Sequence, residues 1–246
     1  GSLIIAFIGL YYLRKSLLPF FSDKVTAFSL LILVLGSNYL NYAAIDGAMT
    51  HNNLFTLYSV LIFLTIKFYK DPKLQYALGI GAIVGLCALT RPTEIISFLI
   101  PLLWNLNIFN WRDLKSRFKF IKKYSRFFIF SIICCLIIGS SQLIYWKYAS
   151  GEWLVYSYQD HGFSWLSPYI FEGLFSYKSG WITYSPVMIF SLIGFMFLLR
   201  RKDINFSSFF LFASLFIYIN FSWDVWWYGS ALGQRTMVQS YPIFIF

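Results

Sequence analysis

The chain has 246 residues, of which 12% are Asp, Glu, Lys or Arg, 59% are hydrophobic and 22% are aromatic; its mean hydropathy is +0.64. Soluble domains carry roughly 25% charged residues, so the composition excludes an ordinary soluble domain, a disordered chain and a collagenous or disulfide scaffold, and leaves the membrane class. A net charge of +10 would suit a nucleic-acid partner in a soluble protein, but a membrane protein concentrates Lys and Arg in its cytoplasmic loops, so the distribution decides.

A spanning helix needs roughly 20 mostly apolar residues. In chain order, runs of that kind predict a first, truncated helix at 2–13. Seven complete spans follow, at 25–45, 54–69, 76–91, 94–110, 127–146, 183–199 and 204–222, and a last truncated one starts at 236. The expected fold is all-α, a polytopic transmembrane helical bundle forming one domain over 1–246, with a long outer loop at 147–185. Both ends read as cut: Gly1-Ser2 opens directly into an apolar run with no signal-peptide cleavage site, and 241–246 stops midway through another.

Alternating sides places residues 14–24, 67–73, 111–126 and 200–203 on one face, with sixteen of the twenty basic residues and four of the ten acidic ones, a net +12. The opposite loops hold four basic residues against six acidic ones, a net −2. The positive-inside rule makes the first face cytoplasmic, putting Arg14, Lys70, Lys122 and Arg201 inside and Lys178 and Asp224 outside. Seven of nine tryptophans (146, 153, 165, 181, 223, 226 and 227) lie on or beside the outer loops, where an aromatic belt would place them. The inner stretch 111–126, WRDLKSRFKFIKKYSR, interleaves cations with Phe118, Phe120 and Ile121 and predicts an interfacial amphipathic helix on anionic membrane lipids.

Two patterns carry no chemistry. Gly79, Gly81 and Gly85 superficially resemble a nucleotide loop but follow no strand; spaced four apart inside an apolar run, Gly81 and Gly85 predict close helix approach. Cys87, Cys134 and Cys135 sit in apolar runs as small buried hydrophobes and give neither a disulfide framework nor metal-ligand spacing. No metal site and no cofactor are expected, although a divalent ion stays open.

Four outer clusters do carry chemistry. The first, Asp46-Gly-Ala-Met49-Thr50-His51, offers Asp46 and His51 as candidate catalytic groups; helix capping by Asp46 or Thr50 is the plain alternative. The second, Thr90-Arg91-Pro92-Thr93-Glu94, breaks two short apolar stretches of roughly 22 Å each, less than the bilayer core. Charge at that depth is costly unless it lines a polar cavity or forms an Arg91–Glu94 pair. The third is the outer loop with Asp160, His161, Trp165, Lys178 and Tyr184, far longer than a connector needs and too aromatic for disorder. Its rings and carboxylates suit a sugar or, alternatively, the membrane interface. The fourth, Trp223-Asp224-Val-Trp226-Trp227-Tyr228-Gly229 through Gly233 and Arg235, places an arginine at the membrane boundary, either snorkelling or holding a phosphate.

Together, Asp46-x-x-Met49-Thr50-His51, Gly85-Leu-Cys-Ala-Leu-Thr-Arg91-Pro92-Thr93, Phe175-Ser-Tyr-Lys178-x-Gly180-Trp181-x-x-Tyr184-Ser-Pro186 and Trp223-x-x-Trp226-Trp227-Tyr228-Gly229-x-x-x-Gly233-x-Arg235 resemble the bacterial protein-mannosyltransferase-like branch of the GT-C membrane glycosyltransferases. The resemblance covers nearly the whole chain. It implies transfer of a sugar from a polyprenyl-phosphate donor to a glycan, lipid or protein acceptor. The enzyme would sit in the bacterial inner membrane with its active site facing the periplasm and have no nucleic-acid partner. It further implies lipid-phosphate binding by Arg235, Lys178 and Arg91, and substrate contacts from Glu94, Asp160, His161, Trp165, Tyr184, Asp224 and Trp227. The usual catalytic carboxylate of that family lies on the first outer loop, which would precede Gly1, so the chain is expected to be a fragment lacking its base. The rival classes are a multi-pass transporter or flippase, suggested by the broken helix at Pro92, and a lipid-linked glycan polymerase or ligase.

Overall fold

The computed structural model describes residues 1–156, 158, 160–200, 206–229 and 232–246, with Phe206 described by its backbone alone. Among them every regular element is helical, and the single β contact is an isolated bridge between Phe163 and Trp223. The helices are α1 (Ser2–Leu17), α2 (Asp23–Gly36), α3 (Thr50–Lys70), α4 (Leu74–Thr90), α5 (Leu99–Leu103), α6 (Trp111–Lys123), α7 (Ser125–Ser150), α8 (Ile170–Phe175), α9 (Trp181–Tyr184), α10 (Ile189–Arg200), α11 (Phe206–Phe221) and α12 (Tyr241–Phe244).

The boundaries follow local chemistry. The Ser22 hydroxyl caps α2 by accepting from the Val25 N–H at 3.4 Å, and the Asn110 side chain caps α6 by accepting from the Arg112 N–H at 3.0 Å. Pro92 ends α4, because a residue preceding proline avoids the helical region, and Arg91 is extended at φ −149°, ψ 121°. Gly151 stops α7 in the left-handed region at φ 80°.

Helix α3 is the axis of the body. Leu54, Phe55, Tyr58, Leu61 and Ile62 are fully buried against α1, α4, α5, α12 and the 3₁₀ segment Arg235–Ser240. Its 21 residues span about 30 Å at 1.5 Å per residue, which separates two ends. At one end Phe68 and Tyr69 meet Phe120 of α6, and Arg117 donates to the Trp104 carbonyl. At the other lie His51 and its polar neighbours. Sequence stretches assigned by alternation to one face of the membrane therefore gather at one end of α3.

Helix α7 is attached differently. It packs on α4 along a glycine seam: a Cβ at Gly81 would collide with the Ser131 carbonyl, and one at Gly85 would lie 2.9 Å from that of Cys135. None of its residues is buried. By length and composition α7 is the one helix among the described residues that could cross a membrane unaided, with 26 residues and a mean hydropathy of 2.3. Four further apolar helical stretches are shorter, Leu74–Thr90, Pro92–Leu103, Pro186–Arg200 and Ser207–Phe221.

Several expected spans are corrected. The 94–110 span is a 3₁₀ segment, Pro92–Phe98, followed by one turn of helix that ends at Leu103, because Trp104 leaves the helical region and Asn105 takes φ 50°. The 25–45 span breaks at Ser37, whose backbone is extended, and resumes as a π-helical turn, Asn41–Ile45. The 183–199 span begins only after Pro186. Residues from 236 onward form the 3₁₀ segment Arg235–Ser240 and the short α12. The 127–146 span extends over Ser125–Ser150, which shortens the outer loop by four residues. Arg201, Lys202 and Asp203 of the expected fourth inner loop lie outside the described residues.

Candidate functional site

The end of α3 at His51 is built around a buried polar relay. Glu94, 1% exposed, is carried inward by the first turn after Pro92. Its Oε2 accepts from the Tyr58 hydroxyl of α3 at 2.7 Å, and its Oε1 accepts from Nε2 of Gln239 at 2.6 Å. Gln239 Oε1 lies 2.7 Å from Nδ1 of His51, in the first turn of α3. Four side chains from three separate stretches of sequence thus form one continuous chain of hydrogen bonds. The expected alternative of an Arg91–Glu94 ion pair is not what forms: among the described residues the close pairs are Arg14–Asp23, Lys73–Asp71 and His161–Asp224.

Two arginines converge beside the relay. The guanidinium carbons of Arg91 and Arg235 each lie 5.8 Å from the Tyr228 ring centroid, within reach of cation–π attraction. Arg91 Nη1 and Arg235 Nε are both fully enclosed with no hydrogen-bond acceptor. Among the described residues Arg235 Nη1 meets the Met49 sulfur, at 4.0 Å. Tyr228 takes φ 51° and Gly229 φ 74°, so consecutive left-handed residues present the ring; a bulky residue held there marks stored backbone strain. The Tyr228 hydroxyl donates to the Asn220 carbonyl at 2.9 Å and fixes the ring.

A second buried network holds this segment in place. Asn38 donates to the Leu232 carbonyl at 3.0 Å, accepts from the Tyr241 hydroxyl at 2.5 Å, and its backbone N–H donates to Ser185 Oγ at 3.1 Å. Gly233, at φ 63°, leaves room for Tyr184, whose Cβ would lie 2.7 Å from any Cβ added there.

The loop that follows α7 docks on the end of α11. The Ser164 and Tyr169 N–H groups donate to the Ser222 and Phe221 carbonyls at 2.6 and 2.8 Å. Asp224 accepts from the Gly162 N–H at 3.0 Å and stands 3.4 Å from His161 Nδ1. Desolvation works to raise the Asp224 pKa, but the Gly162 and Val225 N–H groups and His161 outweigh it and hold the carboxyl below its ordinary value. Phe163 and Trp165 stack at 4.6 Å, leaving Trp165 46% exposed.

The predicted site residues therefore divide. His51, Arg91, Glu94 and Arg235 come together. Lys178 is seated on its neighbour, with Nζ 3.4 Å from the Trp227 ring centroid. Asp224, His161 and Trp165 belong to the loop clamp. Tyr184 donates to the Tyr177 carbonyl at 2.7 Å, and Asp160 is exposed. Asp46 is exposed too; it accepts from Asn41 at 2.8 Å, and neither it nor Thr50 caps α3, whose N-cap is Met49. Sequence reasoning missed Gln239, Tyr58 and Asn38, and quoted Tyr228 within the fourth cluster without giving it a role. Gln239, a polar group inside an apolar run, did carry a signal, whereas Tyr58 is one of eighteen tyrosines with nothing in its local pattern to single it out. Among the described residues no three His, Cys, Asp or Glu side chains gather as a metal site would require. No family model, no characterised protein and no solved structure matches the chain.

Proposed function

We propose that the protein is a multi-pass membrane glycosyltransferase that moves a sugar from a polyprenyl-phosphate donor to an acceptor at the outer face of the membrane. The observation that carries this reading is the arginine pair. Two guanidiniums converge on Tyr228, each with an enclosed N–H that lacks an acceptor, and a phosphate supplies charge and acceptors to both at once. A hydroxyl of the acceptor would lose its proton as it attacks the anomeric carbon, while the departing lipid phosphate gathers charge between Arg91 and Arg235. The exposed aromatic faces of the docked loop, Trp165 among them, suit a sugar ring.

A transfer assay with a polyprenyl-phosphate sugar tests the reading on the full-length protein. Arg91→Ala and Arg235→Ala are each expected to lower kcat/KM by about ten- to a hundred-fold, since a charged hydrogen bond is worth about 1.5–3 kcal/mol. Arg235→Lys restores only part of the loss, because lysine keeps the charge but not the planar fork. Lys178→Ala, removing a cation already seated on Trp227, has the smaller effect. Unchanged kinetics in both arginine variants would remove the support for a phosphate site. The buried carboxylate beside a proline-broken helix favours one rival, a transporter; substrate counterflow in vesicles without sugar transfer would establish it instead.

A further inference from the structure

Helix α6 turns its aromatic residues in two directions. Phe120 stacks on Tyr69 at 5.2 Å and meets Phe68 edge to face at 6.0 Å, while the Arg117 guanidinium stands 4.3 Å from the Tyr69 ring centroid and donates to the Trp104 carbonyl. These contacts pin the helix to the Lys70 end of α3 and take Arg117 out of its basic surface. Trp111 and Phe118 lie on the other side, 66% and 69% exposed. They stand two turns apart on one edge, and Lys115 and Lys122 each follow one ring by a further turn on the same stripe. Arg112, Lys119 and Lys123 carry positive charge around the rest of the exposed side. Asp113 is the one acid in α6, and among the described residues none of these five cations joins a close ion pair. Lys115 and Lys123 instead stand over the Trp111 and Tyr124 rings, at 5.6 and 5.1 Å.

We propose that this outward side of α6 is a docking surface for anionic phospholipid headgroups, with Trp111 and Phe118 immersed at the acyl boundary and the five cations against the lipid phosphates. The inference rests on the membrane part of the proposed function and not on sugar transfer. Two observations choose the partner. Tyr124 alone separates α6 from α7, the helix long and apolar enough to cross a membrane; with α7 in a bilayer, α6 starts from the bilayer edge. The exposed side also pairs a row of cations with an aromatic edge, the composition of a helix that lies in the interface plane and draws on both headgroup charge and acyl chains. A nucleic acid or an acidic protein would satisfy the cations and leave the purpose of the aromatic edge unexplained. The pinned inner side fixes which residues can reach the lipid: Phe118 does, and Phe120, committed to Tyr69, does not.

Nitroxide labels test this on the whole chain in nanodiscs, in a background lacking Cys87, Cys134 and Cys135. Oxygen concentrates in the bilayer and a nickel chelate in water, so the ratio of their effects on a label's power saturation reports its depth. A label at Phe118→Cys is expected to favour oxygen in discs of phosphatidylcholine and phosphatidylglycerol in equal amounts. That preference should be lost in phosphatidylcholine alone, in high salt, and when Arg112→Gln, Lys115→Gln, Lys119→Gln and Lys122→Gln are combined. All four side chains are exposed, and the two lipid compositions make the comparison on unmodified cations as well. A label at Ile137→Cys, in the middle of α7 and 66% exposed, reports on the membrane reading. Oxygen preference at Ile137 with nickel preference at Phe118 in both discs would overturn this inference alone; nickel preference at both would remove the membrane reading with it. Equal immersion of Phe118 with and without phosphatidylglycerol would refute the role of the cations, and a Phe118 label shielded from nickel only by added RNA would assign the surface to nucleic acid instead. Lipid-dependent immersion in a protein that transfers no sugar would leave the role of α6 intact and count against the glycosyltransferase reading.

Discussion

Glu94 shows how one side chain at the His51 end of α3 constrains several others. Being 1% exposed, it depends on Tyr58 and Gln239 for both of its oxygens, and removal of one donor leaves a buried acceptor unpaired. Tyr58→Phe is therefore expected to cost about 1–3 kcal/mol, measured as a lower thermal midpoint in detergent, even though the phenyl ring keeps its packing. A melting curve equal to that of the unmodified protein would mean that the hydroxyl bond contributes nothing net. At this scale the sequence was informative wherever polarity contradicts its surroundings. His51, Arg91, Glu94 and Arg235 all interrupt apolar stretches, and all four converge in space. It was silent on partners, because hydrogen bonds between residues 145 and 188 positions apart leave no trace in local pattern. Lys178, proposed from its charge as a phosphate ligand, stands over the neighbouring Trp227 ring.

Among the elements, α4 and α7 depend on the absence of side chains between them. Gly81→Leu must push the Ser131 backbone away, so it is expected to destabilise the pair by about 1–3 kcal/mol or more. Faster hydrogen exchange confined to α7 and the near turn of α4 would show that the damage is local. The glycine spacing made this contact predictable; what it could not reveal was the partner, which lies some fifty residues downstream. The docked loop responds to acid instead. Because Asp224 is held below its ordinary carboxylate value in the docked form, its contribution is complete above the undocked value of about 4 and is lost as pH falls through the lower, docked one. Amides of residues 162–164 should therefore exchange faster below that range, and Asp224→Asn should already show the faster exchange at neutral pH. The element boundaries were the least legible part. Apolar runs at 25–45 and 94–110 looked continuous, while the breaks at Ser37 and Trp104 depend on where the chain turns to reach its neighbours.

The molecule as a whole sorts its charge along α3, and the proposed topology makes that sorting testable. Cysteines introduced at Lys178 and Asp224, in a background lacking Cys87, Cys134 and Cys135, should react with an impermeant reagent in intact cells. Those at Arg14, Lys70 and Lys122 should react only after permeabilisation; labelling at Lys122 in intact cells would reverse the orientation and, with it, the placement of the site. The helical class was legible from composition, whereas of the four polar clusters only His51, Arg91, Glu94 and Arg235 come together. The internal architecture was not legible, because α3 is buried by its neighbours and its polar first turn conceals that role. The network around Asn38 also bears on how such a chain is made. Asn38, His51 and Glu94 emerge from the ribosome long before Ser185, Leu232, Gln239 and Tyr241, the partners that satisfy them. Synthesis must therefore carry unpaired polar groups until residues 232–241 arrive and lock the earlier helices. A chain halted before residue 232 would hold every helix from α1 to α11 and still lack the Leu232, Gln239 and Tyr241 groups that Asn38, His51 and Glu94 bond to, so this stretch works as a keystone for helices made well before it.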